Sequence, residues 1–149
     1  MSRKHIDFDT YLPFLLVSVG NAMTRSASRA YLARFGVGVT EWRILANLAA
    51  WPGITARSIC ATSSLDKAAV SRAVTTLAQR GLLAINETDD RRERRLTLSP
   101  AGAELHDRML DVALERETRT LDGICEADRA ALIRILKALR SAAGSLDDS

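Results

Sequence analysis

Two cysteines, two histidines and three prolines in 149 residues leave little material for several kinds of chemistry. Cys60 and Cys125 stand far apart and form neither a CxxC pair nor a ligand-spaced cluster, which argues against a disulfide scaffold or a metal site. His5 and His106 are equally isolated, and the chain has no GxGxxG, no P-loop and no nucleophile motif, so neither catalytic residues nor a cofactor is expected. Aromatic residues make up only 5% against 47% hydrophobic, so aliphatic side chains must dominate any core. Long apolar runs are also missing. The stretch 13–19 is far too short to span a membrane, and although Arg3 and Lys4 before it weakly imitate a signal peptide, the segment continues as an amphipathic helix. A cytoplasmic protein without a membrane partner is the expectation. The net charge of +3 permits nucleic-acid binding without demanding it, so the placement of charge matters more than its sum.

What is present is helical punctuation around one short hairpin. A first helix is expected over about 9–34, capped by Asp9 or Thr10, with Pro13 tolerated in its opening turn and Gly36 and Gly38 ending it. Thr40 should cap a second helix, 41–50, on which Trp42, Leu45, Leu48 and Ala49 recur at helical spacing. Thr55 should cap a third, 56–62, and Ser63-Ser64 supply a turn. Asp66 then reads as the cap of a fourth helix reaching Arg80, with Leu65 and Val70 placed as a hydrophobic staple. Gly81 stops it. Residues 82–86 and 95–98 read as two strands around a charged tip. Ser99-Pro100 opens a long helix to about residue 121, and a last helix covers about 126–143, followed by a short polar tail. The expected fold class is mainly α (α+β): a winged helix-turn-helix lobe flanked by long N- and C-terminal helices. Those helices are amphipathic and need a surface, which a second copy of the chain supplies most simply.

On a 3.6-residue period Val70, Ala73, Val74 and Leu77 share one side of the fourth helix, while Ala68, Arg72, Thr75 and Gln79, flanked by Ser71 and Thr76, share the other. Small residues let such a helix sit deep in a major groove. Arg72 can fork onto guanine O6 and N7, Thr75 can offer a methyl or hydroxyl, and Lys67 suits phosphate. A solvated amphipathic helix has the same pattern; the preceding helix and turn, and the hairpin after it, favour DNA reading. The tip from Glu87 to Arg95 interleaves acids with Arg91, Arg92, Arg94 and Arg95, which suits a wing against the minor groove or its phosphates. There Asp90 can hold a neighbouring guanidinium in a fixed fork.

These residues resemble the MarR family of bacterial transcriptional regulators over nearly the whole chain. Similar stretches are Val39-Thr40-Glu41-Trp42-Arg43-Ile44-Leu45, Leu65-Asp66-Lys67-Ala68-Ala69-Val70-Ser71-Arg72, Leu77-Ala78-Gln79-Arg80-Gly81-Leu82-Leu83 and Leu96-Thr97-Leu98-Ser99-Pro100-Ala101-Gly102. The family wing commonly reads D-x-R-D-x-R; Asp90 and Arg92 match its second half, whereas Glu87 and Asp89 depart from the first, with an acid in place of the first arginine. The resemblance implies one unit over 1–149, with a winged lobe at 40–99 and dimerisation helices at 9–35 and 100–145. It implies a homodimer that binds a pseudo-palindromic double-stranded DNA operator as a repressor and is released by a small aromatic or phenolic effector. The candidate DNA-binding set is Arg57, Ser64, Lys67, Ala68, Ser71, Arg72, Thr75, Thr76, Arg91, Arg92 and Arg94. By the same analogy Tyr11, Trp42, Arg43 and His106 are candidates for an effector site, although Trp42 reads more readily as core and His5 and His106 as surface residues.

A thiol-based redox regulator is the alternative within this class. Cys60 is expected to be a buried packing residue and Cys125 a more exposed one, and neither lies near the N-terminus, where the family's peroxide-sensing cysteine stands. A purely protein-interacting helical module would leave the Arg72 face and the wing arginines without a role. A nonspecific architectural DNA binder would lack preference for one site.

Overall fold

The computed structural model describes residues 3–87 and 94–146. Six helices and a three-stranded antiparallel sheet follow in the order α1 (Leu12–Phe35), α2 (Val39–Ala50), β1 (Ile54–Thr55), α3 (Ala56–Ser63), α4 (Lys67–Gln79), β2 (Leu83–Glu87), β3 (Arg94–Leu98), α5 (Pro100–Thr120) and α6 (Glu126–Leu146). This is the mainly helical winged helix-turn-helix architecture. The chain divides into two compact units with the boundary inside α5, between Asp111 and Val112.

The core of the first unit is aliphatic. Ile44, Leu45 and Leu48 of α2, Ile59 of α3, Val70 and Leu77 of α4, Leu96 of β3 and Met109 of α5 are each at most 2% exposed, so four helices and the sheet contribute to the core. Ala49, expected on that face, is exposed; Ile44 takes the inward place.

Two helix starts differ from the sequence expectation, each for a local reason. Asp7, not Asp9 or Thr10, organises the chain before α1: its carboxylate accepts from the Asp9 N–H at 3.1 Å and from the Thr10 hydroxyl at 3.0 Å. With those groups committed to a turn, the helix begins at Leu12, and Pro13 falls in its first turn. For α2, the Glu41 carboxylate reaches back to the Gly38 N–H at 3.1 Å, so Gly38 is the cap and Thr40 lies inside the helix. Gly38 is extended, and only Gly36 takes the left-handed conformation, φ 66°, that ends α1. Thr55 and Asp66 cap as expected, accepting from Ser58 N–H at 3.2 Å and Ala69 N–H at 2.8 Å.

The hairpin pairs Leu83 with Leu98 through to Glu87 with Arg94. The two-residue β1, too short to show a period, adds to the other edge of β3 through Ile54–Leu96 and Thr55–Arg95. It anchors the root of the wing to the start of α3. In the second unit α6 carries Leu132, Ile133, Ile135, Leu136 and Leu139, all 39–49% exposed. Among the described residues no helix is long and apolar enough to cross a membrane.

Candidate nucleic-acid interface

The α3–α4 junction sets the geometry. Ser64 lies between the helices with φ 51°, the left-handed conformation that turns the chain tightly enough to lay α4 across α3. Behind it Asn47 of α2 donates to the Ser63 hydroxyl at 2.8 Å and accepts from the Thr62 hydroxyl at 2.6 Å. The end of α3 is thus tied to α2, and the direction in which α4 leaves the turn is fixed.

With Val70, Ala73 and Leu77 buried and Val74 half-buried, α4 turns a continuous polar face outward. Ala68, Ser71, Arg72, Thr75, Thr76 and Gln79 are all exposed, as is Lys67 at the helix start. The Thr75 and Thr76 hydroxyls donate to Ser71 O and Arg72 O, both at 3.0 Å. Each threonine therefore presents a methyl group and acceptor lone pairs to the outside, with its hydroxyl proton already used. Arg57 is exposed on α3. Among the described residues neither Arg72, Arg57 nor Lys67 is in an ion pair, so their charge is available to an external anion.

On the hairpin Arg94 is exposed at the start of β3. Its neighbour Arg95 instead donates to Gly53 O at 3.2 Å, bracing the wing root against the α2–β1 turn. Arg91 and Arg92 lie outside the described residues.

The four residues suggested for an effector do not form one cluster. Trp42 is half-buried, with the Tyr31 ring 5.9 Å away and tilted against it and the His106 ring 5.5 Å away and nearly parallel. His106 is therefore packed on an aromatic ring and no surface residue: its side chain is 13% exposed. Arg43 sits half-buried one position further, its carbonyl accepting from Asn47 at 2.8 Å. Tyr11 is exposed at the far end of α1, 20 residues before Tyr31, or about 30 Å along the helix axis. Tyr31 itself, 3% exposed, escaped sequence reasoning because a lone tyrosine in a long helix has no distinguishing pattern.

Two further differences concern single residues. Cys60, expected to be buried, is half-buried and opens onto a cleft beside α4, because small Ala56 on the same face of α3 leaves it uncovered. Arg80, read as the last residue of α4, is its C-cap and donates to Gly36 O at 2.9 Å, clamping the end of α1 to the exit of the helix. Cys125 is exposed. No group of His, Cys, Asp or Glu among the described residues could hold a metal ion.

A family model described as MarR family matches residues 35–93, the segment holding α2, α3, α4 and β2. No curated protein matches the chain. Among solved structures, a MarR/EmrR family transcriptional regulator from Acinetobacter sp. ADP1 is 33% identical, with a TM-score of 0.88 over 94% of this chain and 99% of that one. CouR from Rhodococcus jostii RHA1, solved bound to p-coumaroyl-CoA, is 21% identical, with a TM-score of 0.80 over 91% and 95% of the two chains. BpsR from Bordetella bronchiseptica, whose DNA binding is regulated by 6-hydroxynicotinic acid, is 20% identical, with a TM-score of 0.79 over 93% and 99%. The last two share the fold. The first adds identity along almost its whole length, and with the family model it establishes that this chain belongs to the MarR family of transcriptional regulators.

Proposed function

We propose that the protein is a homodimeric repressor that reads a pseudo-palindromic operator with α4 and is released by a small aromatic or phenolic ligand. The observation that carries this reading is the outward face of α4. Four positions spaced for one side of a helix, Ala68, Arg72, Thr75 and Gln79, are exposed together while the opposite side closes the core. In the major groove, Arg72 would fork onto a guanine and the Thr75 methyl would meet a thymine methyl. Lys67, Ser71, Arg57 and Ser64 would bind the flanking backbone with the Thr76 methyl packed beside it, and Arg91, Arg92 and Arg94 would bind the adjacent minor groove or its phosphates.

Two unpartnered apolar faces support the dimer. On α1, Leu12, Leu16, Val19 and Met23 recur at helical spacing and are 43–62% exposed; α6 carries the face already described. Burying apolar surface stabilises by about 25 cal/mol per Å2, which makes such stripes a strong drive toward a second copy. Two-fold pairing would then place the α4 helices in successive major grooves, about 10 bp apart centre to centre. For the ligand, CouR and BpsR supply the analogy, and the Tyr31–Trp42–His106 ring cluster with Arg43 beside it is the site proposed to respond to an aromatic acid.

The test is binding of the full chain to the duplex upstream of its own coding sequence, against unrelated duplex of equal length. A regulator should prefer its site by at least about 10³. Equal affinity for both would leave only an architectural DNA binder, and no affinity for either would leave an interaction module.

A further inference from the structure

Arg34 in the last turn of α1, Arg80 at the end of α4 and Arg108 on α5 meet around a cleft of about 320 Å3 in the first unit. Its volume is at the lower end for small-molecule sites. None of its lining residues belongs to the set proposed for DNA or to the Tyr31–Trp42–His106 cluster. All three arginines are exposed. Two of them are held by neighbours. Arg80 donates to Gly36 O at 2.9 Å and to Phe35 O at 3.4 Å, and the Arg108 guanidinium lies over the Phe35 ring, 5.5 Å from its centroid. A guanidinium carries five N–H donors, so both keep donors free for an external group. The Arg34 side chain has no hydrogen bond or ion pair among the described residues.

Glu104 is the one acid that lines the cleft among the described residues. It stands four positions before Arg108, a spacing that commonly forms an ion pair, yet no pair joins them, with Arg108 laid over Phe35 instead. Three guanidinium groups against one carboxylate leave two positive charges, which matches the dianion of a phosphomonoester. The planar fork of arginine suits phosphate oxygens two at a time. Glu104 sets a second condition. A carboxylate beside a bound phosphate repels it, unless a hydroxyl of the ligand donates to that carboxylate. We infer that this cleft binds a small hydroxylated phosphomonoester of the polyol or sugar phosphate class. Its phosphate is held among Arg34, Arg80 and Arg108, and a hydroxyl donates to Glu104. Such a ligand ties α1, α4 and α5 together at the point where α4 leaves the core. The site goes beyond the DNA-binding reading and does not rest on it.

Isothermal titration calorimetry of the full chain tests the site at about pH 8, above the second phosphate pKa near 6. Four probes are compared: glycerol 3-phosphate, ethyl phosphate (a dianion without a hydroxyl), diethyl phosphate (a monoanion) and inorganic phosphate. Glycerol 3-phosphate should bind most tightly, with ethyl phosphate and inorganic phosphate about tenfold weaker for want of the bond to Glu104. Diethyl phosphate should be weaker again. Arg34→Gln should lower glycerol 3-phosphate affinity about tenfold. Arg25→Gln removes the same charge from an exposed position of α1 outside the cleft and should leave that affinity unchanged. Glu104→Ala should erase the preference for glycerol 3-phosphate over ethyl phosphate. Glycerol 3-phosphate should also raise the Tm of the wild type more than that of Arg34→Gln.

No saturable heat with glycerol 3-phosphate, or equal affinity for ethyl and diethyl phosphate, would overturn the proposal. So would an equal loss in Arg34→Gln and Arg25→Gln, which would reduce binding to net-charge attraction. Inorganic phosphate bound as tightly as glycerol 3-phosphate, or a preference that survives Glu104→Ala, would overturn the hydroxylated ester as ligand. Operator binding by the ligand-free chain is read separately. Its failure in the wild type would remove the DNA reading and leave the cleft standing, whereas its loss in Arg34→Gln would move that arginine onto the duplex and overturn the cleft site.

Discussion

Gly102 on α5 lies against the backbone carbonyl of Leu82, so closely that a β-carbon at position 102 would overlap the oxygen. The contact is part of a small lock. The same carbonyl accepts from Ser99 N–H at 3.1 Å, while the Ser99 hydroxyl donates to Gly81 O at 2.7 Å and accepts from Gly102 N–H at 3.0 Å. The first turn of α5 is thereby pinned to the residues where α4 ends and the wing begins.

Gly102→Ala should break that lock. The added methyl has rigid backbone as its neighbour, so α5 must move away from the wing root at a cost of about 1–3 kcal/mol. Urea denaturation would show the loss as a lower midpoint at constant slope. An unchanged midpoint would mean that α5 can shift freely at this point.

Asp66→Ala removes the acceptor of the Ala69 N–H at the start of α4, the helix proposed to read DNA. The expected loss is about 0.5–2 kcal/mol of stability, with Asp66→Asn keeping most of it. Thermal melts of the two variants separate the capping hydrogen bond from the charge; equal destabilisation by both would assign the effect to charge.

Arg72→Ala should weaken operator binding by about 1–3 kcal/mol through loss of a fork to one base, while binding to unrelated duplex changes little. Fluorescence anisotropy with both duplexes reads the difference. A parallel loss on both would place Arg72 on phosphate.

Arg92→Ala should behave in the opposite way. If its partner is a phosphate, affinity falls on every sequence, and the slope of log K against log salt flattens by about 0.9 for each phosphate no longer neutralised. A salt titration of wild type and variant gives that number, and an unchanged slope would assign the phosphate to another arginine.

How far the sequence alone carried depended on whether a signal was local. The α4 face was legible because Val70, Ala73 and Leu77 alternate with Arg72, Thr75 and Gln79 on a period that only a helix satisfies, and both sides fall where expected. The Asp66 and Thr55 caps were legible because the side chain and its backbone partner are three residues apart. Gly38 and Asp7 show the limit: several capping residues stood in each neighbourhood, and the choice was settled by which side chain could reach which N–H. Contacts between distant positions left no trace. The Tyr31–Trp42–His106 ring cluster joins three helices, Asn47 reaches residues 15 and 16 positions away, and Arg80 reaches back 44. The cleft beside α4 was equally hidden, since its walls come from α3, α4, β2 and β3 and no one segment shows it.

The most direct check of the paired, two-lobed reader is the mass of its complex with DNA. Sedimentation velocity of the full chain on a duplex from its own upstream region should give two copies per duplex, and the complex should be lost when the two half-sites are moved half a helical turn, about 5 bp, out of phase. One copy per duplex, or a complex indifferent to that phasing, would contradict it.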